Sequence, residues 1–225
     1  MAKVEYSQPR ATYFNVLSDG KFHQEVAETT PGAVRREYET SDGKTGVKYE
    51  LVAQKITGKI KNLAIYEGDF GKNIIITLDG EGEDDNAISL SANSNFGEDF
   101  LKKLPNLDVS KDICFAPYSF EDEKTKKLKK GISITQDGEK KPDYYHKQNP
   151  KNDKQWDPCN GYPKLPKEAS GWDSDDWKLY FGTARKFLLE EFKKHELYDK
   201  ATRAEGSNAP EKVAYPEGPE EEPAF

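Results

Sequence analysis

Cations and flat rings recur together in this chain. The stretch "KTKKLKK" sets Lys124, Lys126, Lys127, Lys129 and Lys130 within seven residues. "KKPDYYHK" follows with Lys140, Lys141, Tyr144, Tyr145, His146 and Lys147. Upstream, "KITGKIKNLAIYEGDFGKN" carries Lys59, Lys61, Tyr66, Phe70 and Lys72. Ammonium groups pair with phosphates and aromatic faces accept stacked bases, so the mixture suits a flexible polyanion that carries bases. Each piece also has a plainer reading. A lysine-rich hairpin tip is commonly a solvated surface. Tyr66 and Phe70 equally suit core or edge packing, and Tyr144–Tyr145 equally suit an anchor for the segment that bears them.

Enzymatic chemistry finds less support. The three histidines, His23, His146 and His195, have no metal-ligand partner at a useful spacing. No nucleophile elbow, phosphate-cradling glycine loop or dinucleotide fingerprint is present. "GEGEDDN", from Gly80 to Asn86, gathers carboxylates without the ordered alternation of a calcium loop, and reads as a solvated turn. The expectation is a non-enzymatic protein with no cofactor and no metal.

Charge is distributed unevenly. The 225 residues carry a net −7. From Glu205 to Phe225 six acids face one base, a local −5, whereas Lys124 to Lys154 holds ten lysines and four acids, a local +6. A basic patch and an acidic tail thus share one molecule. No apolar run approaches the length of a membrane span, and the start "MAKVEYSQPR" has no apolar leader. Cys114 and Cys159 lie far apart and outside any Cys-x-x-Cys pair; a disulfide between them stays open. The expected setting is the cytoplasm, with no membrane partner.

The elements that must position the lysines and rings are mostly strands. Ser18-Asp19-Gly20 and "SDGKTG" predict two early hairpins. In "KITGKIKNLAIYEG", Ile56, Gly58 and Ile60 share one parity; at Asn62 the parity slips and Leu63 and Ile65 take over. Such a slip predicts a bulge or sharp bend in one long strand. "GKNIIITLDG" and "NAISLSA" follow as strands, "NFGEDFLKKLPN" as a short helix ended by Pro105, and "DICFAPYSF" and "KGISIT" as two more strands. The fold class expected is mainly β. Strand, strand, strand, helix, strand, strand is the order of an OB-fold, a five-stranded Greek-key barrel whose first strand bends between two layers. The segment after Gln136 reads as an irregular arm, and "DSDDWKLYFGTARKFLLEEFKKHEL" as an amphipathic helix with Trp177, Phe181, Ala184, Leu188 and Phe192 on one stripe. This divides the chain into a barrel with an N-terminal hairpin over 1–150, an arm and helix over 151–200, and a disordered acidic tail over 201–225.

The last ten residues, "PEGPEEEPAF", set Glu220, Glu221 and Glu222 before a terminal Phe225. With the strand order, this end resembles the phage and bacterial single-stranded-DNA-binding proteins, most of all the podovirus replication type. The resemblance covers the layout of most of the chain rather than a long motif. It implies sequence-independent binding and protection of single-stranded DNA in phage replication, recombination or repair. The site residues would be Lys59, Lys61, Tyr66, Phe70, Lys72, Lys126, Lys127, Lys129, Lys130, Tyr144 and Tyr145. It also implies a tail that competes with DNA for the basic groove and recruits replication proteins such as a polymerase or primase-helicase. A homodimer is left open. The rival expectation is an acidic phage module that binds a host enzyme, or mimics DNA, through carboxylates on its folded core.

Overall fold

The structure, a computed structural model, describes residues 11–199 except 41–42, 69–70, 81–84, 167–168 and 170, with the backbone alone at 153–154. The chain is mainly β. Four strands open it: β1 (Thr12–Val16), β2 (Phe22–Val26), β3 (Val34–Glu39) and β4 (Thr45–Ala53). Next come β5 (Ile56–Gly58), β6 (Ile60–Gly68), β7 (Gly71–Leu78) and β8 (Asn86–Ser91). Helix α1 (Asn95–Lys103) and a 3₁₀ turn over Leu104–Asn106 precede β9 (Ile113–Glu121) and β10 (Leu128–Gln136). The short β11 (Glu139–Lys140), β12 (His146–Asn149), β13 (Asn152–Pro158) and helix α2 (Ser174–Phe192) complete the described elements.

Both early hairpins form where the turn residues place them. β1 and β2 pair antiparallel across Ser18-Asp19-Gly20, and β3 pairs antiparallel with β4. Gly20 adopts φ +72°, and a Cβ there would stand 2.3 Å from the Ser119 nitrogen. Only glycine lets this turn lie against β9.

The bend predicted near Asn62 is present. β5 pairs with β9, whereas β6 pairs with β7, so one run of chain serves two sheets. The register along β6 shifts between Ile60 and Asn62, which leaves Lys61 as the extra residue of a bulge. The larger sheet runs β3-β4-β2-β1-β8-β7-β6, the smaller β11-β10-β9-β5, and β12-β13 stand as a separate pair.

No sheet closes on itself, so a five-stranded closed barrel is not what the described residues form. The reason lies at the strand edges. β1 takes the free edge of β8, in parallel, from Thr12 opposite Asn86 to Asn15 opposite Ser89. The edge of β10 is taken by side chains of α1. Asp99 Oδ2 accepts the Ile132 N–H at 2.8 Å, and Lys103 Nζ donates to the Ile132 carbonyl at 2.6 Å. At β6 the chain beyond α2 returns: Leu63 donates to the Leu197 carbonyl at 3.0 Å and accepts from Asp199 at 2.9 Å. Edges are thereby covered without closure.

α1 starts where Ser94 accepts the Gly97 N–H, and α2 where Asp173 and Asp176 form a reciprocal capping box. Ile74, Ile76 and Leu78 of β7, Ile88 and Leu90 of β8, Phe100 of α1, Phe115 of β9 and Leu188 of α2 meet in the core. Of the stripe expected on α2, Ala184, Leu188 and Phe192 are buried, whereas Trp177 and Phe181 stay half-exposed and stack on each other, 5.7 Å between centroids.

The arm expected to be irregular is a hairpin. β12 and β13 pair antiparallel, His146 opposite Pro158 and Gln148 opposite Trp156, so a boundary at residue 150 falls in its turn. Among the described residues no helix is long and apolar enough to cross a membrane.

The grip on β10 yields a test. Asp99→Ala leaves the buried Ile132 N–H without its acceptor, at a cost of about 1–3 kcal/mol. Asp99→Asn keeps an acceptor and is expected to lose less. Urea unfolding midpoints at neutral pH measure both; equal stability of Asp99→Ala and wild type would show that the edge does not depend on this side chain.

Candidate functional site

The bulge and the hairpins distribute the expected binding residues over separate places. Lys59 and Lys61 lie at the bend. Lys61 Nζ pairs with Asp85 at 2.9 Å, which raises the lysine's pKa through that hydrogen bond and charge. Tyr66 lies five residues farther along β6, about 17 Å away at the rise of a strand. There it faces Asn73 across the ladder, beside Lys72, whose ammonium stands 3.6 Å from Glu67. Tyr66 is 44% exposed, a ring held outside the core. Phe70 lies outside the described residues. The bend and the β6–β7 tip therefore do not form one patch.

The β9–β10 hairpin gathers the most. Lys124, Lys126, Lys127 and Lys129 are exposed around its tip, and Lys130 is half-buried. Phe120, 51% exposed, sits directly opposite Lys129, and Leu128 opposite Glu121. Two of the lysines are answered within the hairpin. Lys129 donates to Asp122, and Lys126 stands 3.7 Å from Glu121. The bond from Lys129, helped by the Thr125 amide and hydroxyl, holds the Asp122 carboxyl well below the usual carboxylate range. Lys124, Lys127 and Lys130 have no ion pair among the described residues.

Phe120 was not among the residues singled out from sequence, although strand parity signals it. On β9, Ile113 and Phe115 point inward, and Tyr118 and Phe120 follow one another on the other face, rings 5.7 Å apart. Tyr118 is half-buried; burial first, and then Asp99, raises its pKa.

Tyr144 and Tyr145 meet edge-on at 5.1 Å but differ in burial. Tyr144 is 37% exposed and its amide donates to the Lys102 carbonyl at the end of α1. Tyr145 is buried, edge-on to Phe187 of α2 at 5.4 Å and near Tyr162 at 6.1 Å. It offers no free face to a base, so its place among the stacking residues is corrected: it roots the β12–β13 hairpin in the core. His146 continues the root, packed on Tyr162 at 4.5 Å and held by Asp143 at 2.9 Å. Trp156 is 56% exposed on β13.

Arg36 and His23 belong to a different construction. Glu50, buried on β4, accepts Arg36 Nη2 at 2.6 Å and Nε at 2.8 Å, and stands 2.9 Å from His23 Nδ1. Asp19 faces the other ring nitrogen at 3.2 Å. Burial pushes the Glu50 carboxyl up, but the hydrogen bonds from Arg36 and His23 outweigh it and hold the group below its ordinary value. This network ties β2, β3 and β4 together and leaves the Arg36 guanidinium engaged. No group of three or more His, Cys, Asp or Glu among the described residues is arranged to hold a metal ion. Glu220, Glu221, Glu222 and Phe225 lie outside the described residues.

The buried root titrates at high pH. Burial is the main reason that the phenols of Tyr145 and Tyr162 are pushed up to about 12. An unfolded tyrosine ionises near 10, about the model-peptide value. The fold favours the neutral phenol, so this stabilisation is complete below the unfolded value and is lost as pH rises from about 10 to about 12. Urea midpoints measured at increasing alkaline pH should fall more steeply for wild type than for a Tyr145→Phe/Tyr162→Phe variant. Parallel slopes would show that these phenols do not set the alkaline limit.

No family model matches the chain, and neither the curated proteins nor the solved structures contain a match to it.

Proposed function

We propose that the chain binds single-stranded DNA without sequence preference, protects transient strands during replication, recombination or repair, and acts without catalysing a reaction. The observation that carries this reading is the β9–β10 hairpin. A large ring, Phe120, is held out of the core beside a lysine-rich tip, three of whose ammonium groups have no ion pair among the described residues. Phosphate contacts supply affinity and rings supply sequence-tolerant stacking, so the pair is a minimal unit of strand binding. Tyr66 with Lys72 at the β6–β7 tip is a second such pair.

The finer reading of the fold is an OB-type core. Its support is the order β5–β6, β7, β8, α1, β9, β10, with a bent first strand shared between two sheets. In that architecture the β6–β7 and β9–β10 loops are the two that take part in oligonucleotide binding. β1 and the Asp99–Lys103 pair then stand where a closing strand contact would be. The acidic tail with Glu220, Glu221, Glu222 and Phe225 would compete for the same lysines and engage replication proteins, a reading that rests on its sequence.

Salt dependence tests the reading. Full-length protein should bind an oligo(dT) strand with an affinity that falls steeply as salt rises. Replacing Lys124, Lys127 and Lys130 together by alanine should lower the log–log salt slope by about 2, at about 0.7 per phosphate contact on single strands. Replacing Lys126 and Lys129, which are already paired, should lower it less. Absence of binding at low salt, both for the whole chain and for a chain ending at Asp199, would overturn the proposal in favour of a protein-binding module.

A further inference from the structure

Trp156 is the most exposed of the large aromatic side chains on the described surface, 56% accessible, ahead of Phe120 and Tyr66. It lies on a ribbon of two strands, with Gln148 across from it and Lys147 paired to Asp157 one step nearer the root. Two-stranded ribbons are marginal in water unless something else holds them. Here the holding is all at one end. Tyr145 and Tyr162 are buried beside α2, the Cys159 amide donates to the Tyr145 carbonyl at 2.8 Å, and Asn160 Nδ2 donates to the Tyr144 carbonyl at 2.6 Å. Beyond that root, β12 and β13 make extended contact with each other and with no other described strand or helix.

The molecule thus builds a rigid base for a ribbon that projects from the body, and places an indole on the projecting part. An indole left in water forgoes the burial that usually rewards so large an apolar surface. The charge of the ribbon narrows what would cover it. Lys147 and Lys151 are exposed along its length and turn, and the segment from Lys140 to Lys154 carries five lysines against two acids. A flat apolar face in a cationic strip fits an unstacked base with its neighbouring phosphates better than it fits an apolar protein surface.

We infer that the β12–β13 ribbon is a base-stacking arm for single-stranded nucleic acid, with Trp156 as its platform. This rests on the strand-binding function proposed above and adds to it a site outside the sheets that form the core. The other two tryptophans, Trp172 and Trp177, contact each other edge-on at 5.1 Å in a half-buried aromatic group at the start of α2. They serve as internal reporters of an unmoved fold.

The experiment uses the full chain, an oligo(dT) strand and a strand of the same length whose residues are abasic. Oligo(dT) should quench part of the tryptophan emission of wild type, and Trp156→Ala should remove most of that quench. Its affinity for oligo(dT) should fall about tenfold, the loss of one good stacking contact. Its affinity for the abasic strand, which keeps the phosphates, should not change. Trp156→Phe, which retains a ring, should fall between the two, and an unchanged thermal midpoint for both variants shows the ribbon intact. An equal loss on both strands, or an undiminished quench in Trp156→Ala, overturns the stacking arm while leaving strand binding in place. Loss of a protein partner by Trp156→Ala with DNA binding untouched overturns it in favour of a protein-docking ribbon. Failure of wild type to bind any strand overturns both this inference and the function on which it rests.

Discussion

One strand changes partner midway, and the rest of the structure is arranged around that change. Up to Gly58 the chain bonds to β9; from Ile60 it bonds to β7. Lys61 is the residue that the ladder skips. An extra residue in one strand raises the local twist, and it also moves the apolar set from one parity to the other. That is why Ile56 and Ile60 precede the bulge while Leu63 and Ile65 follow it. The two sheets are consequently joined through covalent backbone and not only through side-chain packing, so the interior between them holds α1 at a set place. From that place Asp99 and Lys103 reach the outer edge of β10 at both backbone groups of Ile132. The bend, the helix position and the open seam are one linked arrangement.

What was legible in the sequence was local. Asp19-Gly20 announces its turn because the backbone needs a positive φ there, and the parity slip at Asn62 announces a bulge because side chains alternate strictly on a strand. What was not legible depended on distant partners. Nothing near Ile132 tells that its N–H will go to Asp99, and nothing near Leu63 tells that residues 197 and 199 will return to it. The β12–β13 hairpin escaped for a different reason. Alternation of apolar and polar residues appears only when one face of a strand is buried. Most described side chains of this ribbon beyond its root are exposed, so its sequence carries no such period and reads as irregular.

Composition also overstated how far the cationic and aromatic residues act together. Lys59 and Lys61 share a short sequence window with Tyr66 and Lys72, yet β6 holds them a strand's length apart. Within the β9–β10 tip, Glu121 and Asp122 already answer Lys126 and Lys129. A phosphate arriving there displaces an existing partner, which weakens its net gain relative to an unpaired lysine. At an exposed site such pairs contribute little to stability, so the hairpin can exchange them without unfolding. The pairs therefore act less as a stabilising device than as a screen, one that keeps a strongly cationic tip from repelling itself when nothing is bound.

The tyrosine pair shows how burial assigns roles that residue type leaves open. The two rings meet edge-on at 5.1 Å, and the aromatic wall of Tyr162 and Phe187 takes in Tyr145 while Tyr144 stays partly exposed. Its burial does more than fill space. Ordering a ribbon costs conformational entropy, and a ribbon that is ordered only on binding would spend part of its contact energy on that ordering. A root held by Tyr145, His146 and Tyr162 meets this cost in the folded protein, before any ligand arrives. The side chain that looked like a contact residue in the sequence thus serves as the support, and the exposed indole of Trp156 is free to make contact.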